Sequence, residues 1–198
     1  MRTEYIVSRT VRIGYDIGEI VKKTLKILFS IGITFLMLSC TITNIIKPNE
    51  NFSAEINLDK NAGIFIAMPK NGMYGNTVYQ NSGSVTQSTL QYVLEDYIKV
   101  IYLGANYEQI EDAKNTAKSR NVKYLYYPTI THWEDRATAW SGIPDALAIK
   151  MIIYDIELDQ TVYSAELFAR GTSITLSTGD PSDLLLDIFK QFANKIYK

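Results

Sequence analysis

One cysteine and one histidine are all that the 198 residues offer of the commonest metal-binding and redox-active side chains. Intramolecular disulfides, zinc fingers, Cys/His clusters and iron–sulfur sites are thereby excluded, and neither metal nor cofactor is expected. The charge balance is equally plain. Twenty basic side chains face 21 acidic ones, for a formal net charge of −1. Without a basic excess, the 14 tyrosines, which are spread along the chain, do not argue for a nucleic-acid partner. Also missing are the G-x-G-x-x-G and G-K-[ST] signatures of nucleotide sites, the G-x-S-x-G elbow and the H-E-x-x-H spacing. What is present is ordinary globular composition, 46% hydrophobic and 21% charged, in a length that suits one domain.

The charge is unevenly placed. Residues 1–39 carry six basic and three acidic side chains, leaving the remainder with 14 basic and 18 acidic. Lys22, Lys23 and Lys26 precede the uncharged run ILFSIGITFLML at 27–38. Twelve helical residues span about 18 Å, short of a hydrocarbon core of about 30 Å, so the layout reads as a secretory signal segment over 1–39. The 26 residues ahead of the apolar run are long for such a segment and fit a start codon placed too far upstream. Leu36-Met37-Leu38-Ser39-Cys40 then resembles the bacterial lipobox, in which cleavage before the cysteine is coupled to its acylation. Cys40 is the expected lipidation site, and the membrane is reached through that anchor. By analogy with lipoprotein sorting, Thr41 is not the aspartate that retains such proteins at the inner membrane. The expected location is therefore the outer membrane, facing the periplasm. The competing reading is an uncleaved anchor, because residues 27–46 hold no charge, although Thr41, Thr43 and Asn44 dilute their second half.

Residues 40–60, mixed polar with Pro48, read as the lipidated N-terminus and a tether, and 61–198 as a single α/β domain. Gly63–Met68 is a short apolar strand closed by Pro69. Lys70–Ser84 is a long loop rich in Gly, Asn and Ser. Ser84–Lys99 places Leu90, Val93, Leu94, Tyr97 and Ile98 on one helical face. A strand at 100–103 stops at Gly104, and Asn106 caps a helix with a thin apolar face. Strands follow at 123–130, 146–156 and 161–175, with Leu147, Ile149, Met151 and Ile153 alternating in the second. Gly179-Asp180-Pro181-Ser182 then opens a last amphipathic helix. The predicted order is β-α-β-α-β-β-β-α: a mixed sheet, three strands parallel and the last three antiparallel, with helices packed on it.

Chemistry-bearing residues concentrate in THWEDRATAWSG at 131–142. His132 there is a candidate general base, with Glu134 or Asp135 to orient it, which makes a hydrolase the rival reading. The simpler account is a connection between strands, with Arg136 paired to a carboxylate and the tryptophans shielding the sheet edge. Upstream, NGMYGNTVYQNSG at 71–83 reads as a surface loop, or as an anion-binding turn ahead of a helix.

The stretches Gly72–Gly83 and His132–Gly142 resemble bacterial lipoproteins grouped as domain of unknown function 4823, over about residues 60–190. In that family G-x-Y-G-x-T-V-Y-x-x-S-G and H-W-E-D-R-A-T-x-W-S-G recur. Leu158-Asp159-Gln160 departs from a glycine-bearing turn. The resemblance implies an envelope lipoprotein and carries no activity. If the first and third predicted strands are parallel neighbours, both stretches leave from one C-terminal sheet edge, where open α/β sheets bind ligands. Tyr74, Tyr79, Trp133, Glu134, Asp135, Arg136 and Trp140 are then the candidate contacts for an envelope protein or a glycan. The expectation is a non-enzymatic binding module; a structural surface lipoprotein is the remaining alternative.

Overall fold

Short apolar bursts between polar turns become the strands of one large sheet. The computed structural model describes residues 21–24, 26, 43–49, 56–135, 143–171 and 180–198. The chain divides into two units, Met1–Cys40 and Thr41–Lys198. In the first, residues 21–24 and 26 are helical and exposed. Among the described residues no helix is long and apolar enough to cross a membrane. The predicted apolar run at 27–38 and Cys40 lie outside the described residues.

In the second unit the strands are β1 (Thr43–Pro48), β2 (Ile64–Met68), β3 (Met73–Tyr74), β4 (Thr77–Val78), β5 (Ile101–Tyr107), β6 (Tyr124–Glu134), β7 (Ala146–Asp155) and β8 (Gln160–Arg170). The helices are α1 (Ser82–Leu94), α2 (Ile110–Ser119) and α3 (Leu185–Ile196), the last preceded by a 3-10 turn at Pro181–Leu184. Six strands form one sheet in the order β1-β8-β7-β6-β2-β5, and β3 and β4 make a small hairpin. β2 pairs parallel with both β5 and β6, while β6-β7-β8-β1 is antiparallel throughout. This is the predicted mixed sheet with one strand added at its edge.

The strands' period of two sorts the side chains onto two faces. On one face Ile64, Ile66, Tyr126, Leu147, Ile149 and Leu167 meet α1 and α3 in the main core. Phe189 and Phe192 of α3 are 0% exposed; burying each contributes about 2–3 kcal/mol before entropy is counted. On the other face Phe65, Ala67 and Leu125 meet α2 through Ala113 and Ala117, whose small side chains let the helix approach closely. That second core covers the parallel part of the sheet and reaches Ile152 and Tyr154 of β7. Beyond it Lys47, Lys150, Glu166 and Arg170 stand exposed on a face that no described helix covers.

α1 ends at Leu94, short of the expected Lys99, and β8 at Arg170, short of the expected 175; three further boundaries bear on the site. The segment expected as tether contains β1, whose Thr43 pairs with Arg170 and whose Pro48 pairs with Ala165; adjacent Ile45 and Ile46, followed by Pro48, hide its alternation. β5 runs through Gly104 to Tyr107, so Asn106 is a strand residue and Gln109 holds the N-cap of α2. β6 extends to Glu134, which draws His132, Trp133 and Glu134 into the sheet instead of a connection. The last helix does start where predicted. Asp180 accepts a hydrogen bond from the Ser182 amide at 2.8 Å, and Asp183 answers on the Asp180 amide at 3.3 Å, a complete capping box ahead of α3.

Candidate functional site

The predicted parallel neighbours are real: β2 lies beside β6, with Ile64 opposite Tyr124 and Ile66 opposite Tyr126. The chain leaving β2 therefore meets the second half of β6. It does so as a stapled hairpin, not the loose surface loop expected. Ser82 Oγ accepts from the Gly72 amide at 2.8 Å and donates to the Tyr79 carbonyl at 2.7 Å. Asn71 Oδ1 accepts from the Gly83 amide at 3.0 Å. That last bond occupies a first-turn amide of α1, which an anion would otherwise seek. A β-carbon on Gly83 would stand 2.5 Å from the Pro69 carbonyl oxygen, so the glycine is required by close approach.

A bulge decides which side chains β6 shows. Ile130 pairs with Ile149, yet His132 pairs with Ala148, leaving Thr131 as the extra residue. Before the bulge even-numbered Tyr124, Tyr126 and Ile130 turn to the main core. After it odd-numbered Trp133 does, and His132 and Glu134 come to the open face. His132 Nε2 is 3.0 Å from Glu134 Oε2, with the histidine side chain 36% exposed and the glutamate 12%. The Tyr74 ring meets the His132 ring edge to face, with centroids 5.5 Å apart and planes at 88°. The two motif stretches are thus in contact, as their shared sheet edge predicted.

The candidates divide accordingly. Trp133 is only 3% exposed and fills the main core, so the expected surface contact is corrected to a packing role. Tyr79 is half-buried against the same core. Tyr74 and Glu134 are half-buried beside His132, and Asp135 is exposed at the end of β6. Partial desolvation, and then the charges of Asp145 and Asp180, raise the Asp135 carboxyl above its ordinary value. Arg136 and Trp140 lie outside the described residues. For a hydrolase, His132 would need a nucleophile. Among the described residues its hydrogen-bond partner is Glu134, and Thr131 Oγ1 is engaged with the Ala148 carbonyl at 3.2 Å. No group of three or more His, Cys, Asp or Glu among the described residues is placed to hold a metal ion.

Two hollows flank the bulge, and Thr131 lines both. One, of about 470 Å³, lies on the open face among Lys47, Lys150, Ser164 and Glu166. The sheet register sets Glu166 directly between the two lysines. No ion pair within 4 Å joins these three among the described residues. The other, of about 370 Å³, lies where the parallel strands end, among Lys70, Tyr107, Tyr127 and Thr129. There the Lys70 ammonium sits 4.4 Å over the Tyr107 ring. Tyr127 donates to the Glu108 carbonyl at 2.9 Å, and burial, with Tyr107 next, pushes its hydroxyl up to about 12. Sequence reading missed Lys47, Lys150 and Glu166. Their signal was a charge at one position of an otherwise apolar strand, which marks an uncovered face.

Solved structures share this fold. The PelC dodecamer from Paraburkholderia phytofirmans aligns at a TM-score of 0.58 with 14% identity, covering 78% of this chain and 98% of that one. A PelC L103M dodecamer from the same organism aligns at 0.56, again with 14% identity, covering 80% and 99%. Lipoprotein GNA1162 from Neisseria meningitidis is more distant, at 0.43 and 15% identity, covering 67% and 97%. At 14% identity the likeness to the two PelC structures is one of fold alone. No curated protein sequence matches the chain. The family model for the domain of unknown function DUF4823 matches residues 56–196, nearly the whole of the sheet and its helices, and the chain belongs to that family.

Proposed function

We propose that the protein is a lipid-anchored lipoprotein of the cell envelope, held through Cys40 at the outer membrane and facing the periplasm. Its domain is a non-enzymatic binding module for another envelope protein or a cell-wall component. The observation that carries the binding reading is the contact of Tyr74 with His132, since it makes one surface of the two motif stretches. That surface combines an aromatic ring, an imidazole and a carboxylate beside hollows with lysine and hydroxyl linings. Such a mixture suits recognition by apolar contact with a few oriented hydrogen bonds. The anchor is supported by the lipobox-like LMLSC at 36–40.

The test is crosslinking in intact cells with the wild type and a Tyr74→Ala/His132→Ala variant of unchanged melting temperature. A discrete envelope partner captured by the wild type and lost in the variant is the expected result. An identical catch from both would overturn this surface as the binding site. The rival hydrolase reading has the His132–Glu134 pair in its favour. Turnover of a cell-wall substrate by the purified protein, abolished in His132→Gln, would replace the binding module with an enzyme.

A further inference from the structure

The strand that stands where a tether was expected fixes how the domain meets its membrane. We infer that the sheet end carrying Thr43, Arg170, Ala146 and Glu134 is apposed to the lipid headgroups, so that the Tyr74–His132 surface works at the bilayer and not in open periplasm. The inference rests on the lipid anchor at Cys40 proposed above.

The argument is one of reach. Thr43 already pairs with Arg170 in the sheet. Three Cα–Cα steps separate Cys40 from Thr43, and at 3.8 Å each they span at most about 11 Å. An acylated cysteine lies in the membrane interface, so the start of β1 stands within that distance of it. The neighbours follow from the register: Thr43 lies beside Arg170, Arg170 beside Ala146, and Ala146 beside Glu134. Strands lie about 4.8 Å apart, so Glu134 is about 14 Å across the sheet from Thr43. The other end is much farther. β7 runs ten residues from Ala146 to Asp155, a length of about 30 Å at 3.3 Å per residue, and the turn holding Leu158 caps that far end. Lying flat would gain little, because the open face sets Glu166 between Lys47 and Lys150 and offers the headgroups charges of both signs.

The experiment uses the full lipidated protein in vesicles of phosphatidylethanolamine and phosphatidylglycerol that carry a headgroup-attached quencher. Cys40 is the sole native cysteine, so once it is acylated an introduced cysteine is the only thiol to label. Asp135→Cys and Arg170→Cys report on the near end, and Leu158→Cys, at a position 62% exposed, on the far end. Either near-end variant serves if the other fails to fold. Quenching at least threefold stronger at the near end is expected. A twenty-residue Gly/Ser insertion after Thr41, with an end-to-end distance of about 25 Å, should abolish the difference. Equal or reversed quenching without the insertion overturns the inference. Protection of the near end in cells, without quenching in pure lipid, would assign that end to a membrane protein and likewise overturn it. Intact mass reports acylation separately: a mature chain without acyl mass removes the anchor itself, whatever the labels show.

Discussion

Gly72 lies so close to Trp133 that a β-carbon on the glycine would stand 2.6 Å from the tryptophan Cβ and 2.8 Å from Ile130 Cγ2. The two motif stretches are therefore locked by packing before any partner is considered. Gly72→Ala should lose about 1–3 kcal/mol to overpacking, and Trp133→Ala about 3–5 kcal/mol to the cavity left in the core. Denaturant melts of the two variants check this. Combining Gly72→Ala with Trp133→Ala should cost clearly less than the sum, because the cavity left by the ring gives the retained Cβ of residue 133 and Ile130 Cγ2 room to yield. Additive losses would mean that the two sites do not couple.

The bulge gives a sharper test. Deleting Thr131 removes the extra residue and leaves His132 and Trp133 opposite Ala148 and Leu147 as before, so Trp133 keeps its place in the core and the chain should still melt cooperatively. Thr131→Ala removes only a 3.2 Å hydrogen bond to the Ala148 carbonyl and should stay within about 1 kcal/mol of wild type. A deletion variant without a cooperative melt would show that Thr131 is not simply the extra residue of the strand.

Gln87 is 4% exposed and gives its amide hydrogens to the carbonyls of Ile66 and Gly104, both at 2.9 Å. It thereby joins α1 to β2 and β5 where their pairing shifts register. Gln87→Leu should cost about 2–4 kcal/mol in urea denaturation, because two buried carbonyls lose their donor. A loss below about 0.5 kcal/mol would show that water replaces the amide.

The raised Asp135 carboxyl predicts a pH dependence. The folded state binds this proton more tightly than the unfolded chain does. The group's favourable contribution is therefore complete below its unfolded value near 3.9 and is lost as pH rises through the folded value. Asp135→Asn should raise the melting temperature at pH 7 and match wild type near pH 3. A variant that melts lower than wild type at pH 7 would contradict the assigned cause.

Anchoring is checked by Cys40→Ala, which should leave an uncleaved precursor or release the protein from membranes. A variant still cut to mature size and still held in the membrane would refute the lipid anchor.

Much of this was legible in the chain, for identifiable reasons. β7 announced itself because Leu147, Ile149, Met151 and Ile153 keep strict alternation against a helix-covered core. The meeting of Gly72–Gly83 with the His132 region was legible too, since parallel neighbours deliver their following segments to one edge. The phase of β6 was not, because one inserted residue changes no composition and only the partner strand reveals it. Trp133 accordingly read as a surface aromatic, although it is core. β1 was hidden for another reason. Its stability comes from β8, nearly the whole domain away in sequence, and not from any local preference.

That remoteness of β1 from β8 has a kinetic consequence. Pairing Thr43 with Arg170 closes nearly the entire domain as a loop, the costliest closure in the sheet and one that cannot happen until the last strand has emerged. Under the proposed export, the residues after Cys40 would have no β8 to pair with while the rest of the chain is still arriving. β1 joins the sheet only afterwards, so on that proposal the order of strand closure would leave the cysteine open to processing before β1 is paired.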